Sequence, residues 1–155
     1  MNPLQQLAES GQAVWFDFVR RHLLTGGELN RMVERDGLRG ITANPSIFEK
    51  AIVGSDDYRD ELQALAGEST LDALGIYERL AIEDVQLAAD ILGPVYHATA
   101  GRDGYVSLEV APALAHDTEG TCQQARRLWQ TLDRPNVMIK VPATPEGIPA
   151  IEQLT

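Results

Sequence analysis

Tyr105-Val106-Ser107-Leu108-Glu109-Val110, a helical pattern opening at Asp117-Thr118 and running to about Leu132, and then Asn136-Val137-Met138-Ile139-Lys140-Val141 make one strand–helix–strand unit. Both flanking runs are rich in β-branched residues and are bounded by Gly, Pro, Asp or Asn, the pattern of short buried strands. Upstream, Ala13-Val14-Trp15-Phe16-Asp17-Phe18-Val19 and Leu38-Arg39-Gly40-Ile41-Thr42 read the same way. The intervening segments are helical. Gly27 to Asp36 carries apolar residues at helical spacing (Leu29, Met32, Val33) and stops at Gly37. Ile47 to Ala66 reads as one or two helices, interrupted around Gly54-Ser55. Ser69 precedes a long amphipathic stretch reaching Leu92, and Asp72, three residues on, suits a capping arrangement. Thr144-Pro145-Glu146-Gly147 reads as a cap with proline at the first helical position, opening a helix that continues to Thr155.

Strands alternating with helices predict an α/β fold of parallel strands joined by right-handed crossovers. A small doubly wound sheet could be complete in 155 residues, whereas a (β/α)8 barrel needs roughly 250. The first strand-to-helix turn, Asp17 to Arg21, has no Gly-rich phosphate fingerprint, which weakens the nucleotide-binding version of the doubly wound fold.

Polar residues at the strand ends carry more information. Asp17 lies between Phe16 and Phe18, Thr42 and Asn44 follow Ile41, Glu109 stands between Leu108 and Val110, and Lys140 between Ile139 and Val141. Ionised groups are costly to bury unless paired, and the C-terminal face of parallel strands is where (β/α) folds build active sites. Lys140, with apolar neighbours on both sides, reads as desolvated, which disfavours its ammonium form. A neutral amine can attack a carbonyl and form a Schiff base, and Asp17 and Glu109 would be its proton-transfer partners. Each has a plainer reading: Lys140 in an ion pair with Glu109 or Asp17, the carboxylates as caps or structural groups, and Asn44-Pro45 as the start of a helix.

Acidic residues outnumber basic ones, 23 to 13, for a net charge of -10. That excess argues against nucleic acid and against an anionic membrane surface as partners. Only Lys50 and Lys140 among the basic residues are lysines. No apolar run reaches the ~20 residues of a membrane span, and no signal peptide is visible, so a cytoplasmic location is expected. Cys122, the single cysteine, reads as a small core residue. His22, His97 and His116 lack metal-ligand spacing and read as surface or local packing residues, and Arg126-Arg127 as a solvated face. No metal or organic cofactor is expected.

The chain also resembles a known family. Gly40-Ile41-Thr42-Ala43-Asn44-Pro45-Ser46-Ile47-Phe48 resembles the transaldolase signature after the second barrel strand. Asn136-Val137-Met138-Ile139-Lys140-Val141-Pro142-Ala143-Thr144 resembles the segment carrying that family's Schiff-base lysine, and Asp17 and Glu109 fall where it keeps two acidic residues. The likeness spans essentially the whole chain and is greatest to the larger bacterial transaldolases, including the form fused to a glucose-6-phosphate isomerase. It implies that residues 1–155 are the N-terminal half of a single TIM (β/α)8 barrel domain of the class I aldolase type. It further implies transfer of a dihydroxyacetone unit from sedoheptulose 7-phosphate to glyceraldehyde 3-phosphate in the non-oxidative pentose phosphate pathway. Lys140 would form the Schiff base, Asp17 would act in carbon–carbon cleavage, and Glu109 would work with a water during imine formation and hydrolysis. Thr42 and Asn44 would line the substrate site. The family's phosphate-holding residues would lie in its later strands, so half a barrel should be weakly active or inactive alone. Its open edges should associate with the missing half or with another copy. Two other readings stand beside this one: a Schiff-base aldolase of the fructose-6-phosphate aldolase type, and a non-catalytic oligomerisation fragment.

Overall fold

In the computed structural model, which describes residues 2–67 and 71–155, four parallel strands form one sheet in the order β1-β2-β3-β4. They are β1 (Val14–Phe16), β2 (Leu38–Thr42), β3 (Tyr105–Glu109) and β4 (Val137–Lys140). Each strand adds on the same side of the one before it. A doubly wound sheet reverses direction at a switch point, whereas a barrel keeps winding one way. The order is therefore that of half a (β/α)8 barrel, and it is not closed.

The helices are α1 (Pro3–Glu9), α2 (Arg21–Thr25), α3 (Glu28–Arg31), α4 (Pro45–Val53), α5 (Arg59–Ala66), α6 (Ala73–Ala98), α7 (Thr118–Leu132) and α8 (Gly147–Leu154). The expected break in the segment up to Ala66 falls at Gly54, and the expected start of α7 is capped by Asp117, which accepts from the Gly120 N–H at 2.9 Å. Gly37 ends the α3 segment at φ +73°, as its position suggests, but the turn before it (Met32–Asp36) is π-helical.

Several sequence expectations are corrected. The first strand spans three residues instead of seven, because it is an edge strand paired only with β2 and slips register between Val14 and Trp15. Two helices were not foreseen. The first, α1, is announced by a capping box in which Asn2 accepts from the Gln5 N–H and Gln5 answers at the Asn2 N–H. The second, α2, is too short to set up a helical period. Asp72 is itself the N-cap of α6, accepting from Gly75 N–H at 2.8 Å, and the expectation for Ser69 lies outside the described residues. The proline of Thr144-Pro145 sits in a turn ahead of α8, not at its first position: Thr144 Oγ1 accepts from the Gly147 N–H at 3.0 Å.

The core lies between the outer face of the sheet and the helices. Ile41, Val106 and Leu108 meet Ala81, Val85, Ala88 and Leu92 of α6 and Ala125, Leu128 and Leu132 of α7. Each of the Ile, Val and Leu side chains contributes about 1.5–3 kcal/mol on burial. A smaller cluster, Ala51, Tyr58, Leu65 and Leu80, seats α4 and α5 on α6. Cys122 is buried, and His22, His97 and His116 are exposed, as expected. Arg126 and Arg127 face solvent, and Arg127 is also held bidentate by Glu78 of α6 at 2.6 Å.

Candidate active site

Alternation along β3 places Ser107 and Glu109 on one face, opposite Val106 and Leu108, which turn into the core. Register then fixes their neighbours: Thr42 lies beside Ser107, Ser107 beside Met138, and Glu109 beside Lys140. This face is the one a closed barrel would enclose.

Two contacts organise it. Lys140 Nζ lies 2.7 Å from Glu109 Oε1, and Thr42 Oγ1 donates to Asp17 Oδ1 at 2.5 Å. Asp17 follows the last residue of β1, so the hydroxyl at the end of β2 fixes a carboxylate that the strand itself no longer holds. Asn44 caps α4, its Oδ1 accepting from the Ile47 N–H at 2.9 Å, with Pro45 at the first helical position. The cap uses only the oxygen, so its Nδ2 amide protons have no partner among the described residues. Cap and ligand-facing amide are thus compatible roles.

The sequence-based reason for a desolvated Lys140 does not hold. Its apolar neighbours Ile139 and Val141 point away from it, as adjacent residues of a strand must. The side chain is 36% exposed, and the group opposite it is the Glu109 carboxylate. The ion-pair geometry of the plainer reading is therefore present, and it is also the geometry that puts an acid beside an amine.

The comparisons with known proteins decide the family. A family model described as transaldolase/fructose-6-phosphate aldolase matches residues 14–155. The chain belongs to this family. It is 49% identical over 155 residues to a protein named transaldolase from Thiobacillus denitrificans, covering all of this chain and 43% of that one. It is 49% identical to a transaldolase from Thermobifida fusca, over 97% of this chain and 40% of that one. To a protein named transaldolase 2 from Nostoc punctiforme it is 47% identical, over 99% of this chain and 40% of that one. The chain thus spans about two fifths of the length of the curated relatives it matches.

Within this transaldolase-family half-barrel, the loops after β3 and β4 are stitched together above Glu109 and Lys140. Thr118 Oγ1 donates to the Glu146 carbonyl at 2.5 Å, Thr144 Oγ1 donates to the Ala115 carbonyl, and His116 Nδ1 lies 3.0 Å from Glu146 Oε2. The hydrogen bond from His116 holds the Glu146 carboxyl below the usual carboxylate range. At the start of β4, buried Asn136 donates to the Ala89 and Gly104 carbonyls, each at 2.8 Å, fixing the strand that ends in Lys140. The loop after β1 is anchored from outside: Asp57 accepts from Arg20 Nε at 2.6 Å and from the His22 N–H at 3.1 Å.

Glu109 borders two cavities. One of about 470 Å3 also contains Lys140 and Pro142. The other, of about 270 Å3, lies toward α6 and holds Tyr77, whose phenol is pushed up to about 12 by burial and by the negative charges of Glu109 and Glu78.

Ser107 was missed by the sequence reading. It is 2% exposed, and its hydroxyl is buried with no hydrogen-bond partner among the described residues. An unpaired buried hydroxyl costs roughly 1–3 kcal/mol, and here it sits in the row joining Thr42 to Met138. The available signal was its place two residues before Glu109, which puts both on one face of the strand.

Proposed function

We propose that this chain carries the Schiff-base part of a transaldolase site, and that the whole protein transfers a dihydroxyacetone unit between sugar phosphates. The observation supporting this most directly is the Glu109–Lys140 pair at the ends of adjacent strands, with Asp17 and Thr42 joined on the same sheet face.

The Lys140 amine adds to the ketone of a ketose phosphate such as sedoheptulose 7-phosphate, and the carbinolamine loses water to give an iminium. Glu109, in contact with Nζ, moves the proton to and from that water. Asp17 takes the proton of the hydroxyl on the carbon being released. The bond between that carbon and the three-carbon unit breaks, its electron pair enters the iminium to form an enamine, and erythrose 4-phosphate departs. The enamine carbon then attacks the aldehyde of glyceraldehyde 3-phosphate while Asp17 returns a proton to the new alkoxide. Hydrolysis releases fructose 6-phosphate and free lysine. Thr42 orients Asp17, and the free amide of Asn44 and the unpaired hydroxyl of Ser107 meet substrate hydroxyls. No step calls on a cofactor.

The exposed inner face and the unpaired edges of β1 and β4 support association with further strand–helix units, or with a second copy, as a condition for full activity. Among the described residues no helix is long and apolar enough to cross a membrane.

The test is incubation with fructose 6-phosphate followed by borohydride, with intact mass and peptide mapping. A dihydroxyacetone adduct on Lys140 is expected in a full-length relative and, more weakly, in this chain. An adduct in neither removes the proposal. Dependence of turnover on an aldehyde acceptor separates transfer from simple aldol cleavage.

A further inference from the structure

At the opposite end of the sheet from Lys140 is a further cavity, of about 320 Å3. Three segments build it: the turn from α1 into β1, the start of β2, and the turn from α6 into β3. Arg39 and Arg102 line it, and neither forms an ion pair among the described residues; Arg102 Nε donates to the Thr99 carbonyl at 3.3 Å, which leaves its two terminal nitrogens for a ligand. In a chain of net charge -10, Arg20, Arg21, Arg31, Arg59, Arg79, Arg127 and Arg134 sit on carboxylates. Arg35 and Arg126 form no ion pair among the described residues either, but of the arginines without one only Arg39 and Arg102 share a cavity with each other among those described. One carboxylate, Asp103, shares the cavity with them.

The frame around these side chains is rigid. Thr99 Oγ1 donates to the Val95 carbonyl at 2.8 Å and accepts from the Asp103 N–H at 3.0 Å. Tyr105 OH donates to the Gly101 carbonyl at 2.7 Å, and the Gly104 N–H donates to the Arg39 carbonyl at 2.7 Å. That last bond ties the backbones of the two arginine-bearing segments to each other. Ala100 is held at φ +52°, a left-handed conformation that an alanine adopts only when its surroundings impose it.

We propose that this cavity is a binding site for a small hydroxylated phosphate ester, separate from the Schiff-base site. Guanidinium forks match the spacing of phosphoryl oxygens, and two of them supply the charge that the rest of this acidic chain withholds. Asp103 selects within that class. Its carboxylate repels a bare anion but accepts a hydrogen bond from a hydroxyl, so the preferred ligand carries both groups.

The experiment follows amide resonances of the chain during titration with glycerol 1-phosphate, inorganic phosphate and glycerol. The amides of Gly11, Gly101 and Gly104 should shift saturably with the ester, more weakly with inorganic phosphate, and not with glycerol. Arg39→Gln and Arg102→Gln should each weaken binding of the ester at least about tenfold, a loss of roughly one charge-assisted hydrogen-bond pair. Asp103→Asn should narrow the gap between ester and inorganic phosphate. The same spectra report whether each variant is folded. No shift at these glycines, or a shift that survives both arginine substitutions, overturns the proposal. Shifts confined to residues around Lys140 would overturn it too, while leaving the Schiff-base reading intact.

Discussion

Glu109 and Lys140 are register partners on adjacent parallel strands, and their charged atoms lie 2.7 Å apart with about a third of each side chain exposed (33% and 36%). An ion pair this open to water contributes about 0–1 kcal/mol to stability. Folding energy alone gives little reason for its position. Glu109→Gln and Lys140→Met should each change the urea-unfolding free energy by less than about 1 kcal/mol. Lys140→Met should abolish borohydride trapping, and Glu109→Gln should slow it about a hundredfold or more. A loss of several kcal/mol in either variant would mark the pair as structural.

Ser107 should show the opposite balance between stability and function. Removing an unsatisfied buried hydroxyl lifts a desolvation cost, so Ser107→Ala should leave stability unchanged or raise it by up to about 1 kcal/mol. If the hydroxyl meets substrate, trapping of the same variant should weaken. A variant that loses stability and traps normally would contradict its place in the site.

The strongest electrostatic element lies behind the site. Asp84, fully buried on α6, accepts from Tyr58 OH at 2.7 Å and from Arg21 Nε, and Arg21 also reaches Glu61 at 2.5 Å. Burial and the charge of Asp84 push the Tyr58 phenol far above its ordinary value, so it stays protonated, donating to that carboxylate and accepting from the Arg21 N–H at 3.0 Å. Asp84→Ala removes the fully buried partner of both Arg21 and the Tyr58 hydroxyl, leaving Arg21 only the half-exposed Glu61 and Glu83, and should cost about 3–5 kcal/mol, while Tyr58→Phe should cost about 1–2. Denaturant titration of both variants checks the order, and near-equal losses would contradict it.

The clamp on the loop carrying Asp17 should be sensitive to acid. The Arg20 hydrogen bond holds the Asp57 carboxyl below the usual carboxylate range, with help from the His22 N–H. A carboxylate whose value is depressed on folding adds stability that is full above the unfolded value, near 4, and disappears as pH falls through the folded one. Melting temperature should therefore drop as pH falls below about 4, and Asp57→Asn should flatten that part of the curve. An identical acid limb in the variant would show that Asp57 does not couple folding to protons.

The unpaired edges make a hydrodynamic prediction. Beside β4, Trp129 is 55% exposed and Met138 is 42% exposed, in a groove closed on its far side by Leu154 of α8. The sedimentation coefficient of the chain should rise with concentration, and Met138→Lys should suppress the rise. A concentration-independent monomer would count against association through this edge.

Much of the fold is legible locally. Asp117 and Gly37 mark helix ends because caps and left-handed stops act over a few residues, and the four strands stand out because β-branched runs are short-range signals. What escaped was either too short to carry a period, as with α2, or hidden in one turn, as with the Asn2–Gln5 capping box. Lys140 shows how an inference can fail in a strand: its sequence neighbours are apolar, but they face the other side.

The sequence by itself determined the number and order of the strand–helix units and the polar residues that end each strand, because both depend on patterns a few residues long. Only the tertiary structure decided that the strands wind one way, that Thr42 holds Asp17, and that Glu109 rather than Asp17 meets Lys140. Pairing between strands separated by whole helices is set by the ladder register and by how α6 and α7 pack on the sheet. Neither is written in any single segment.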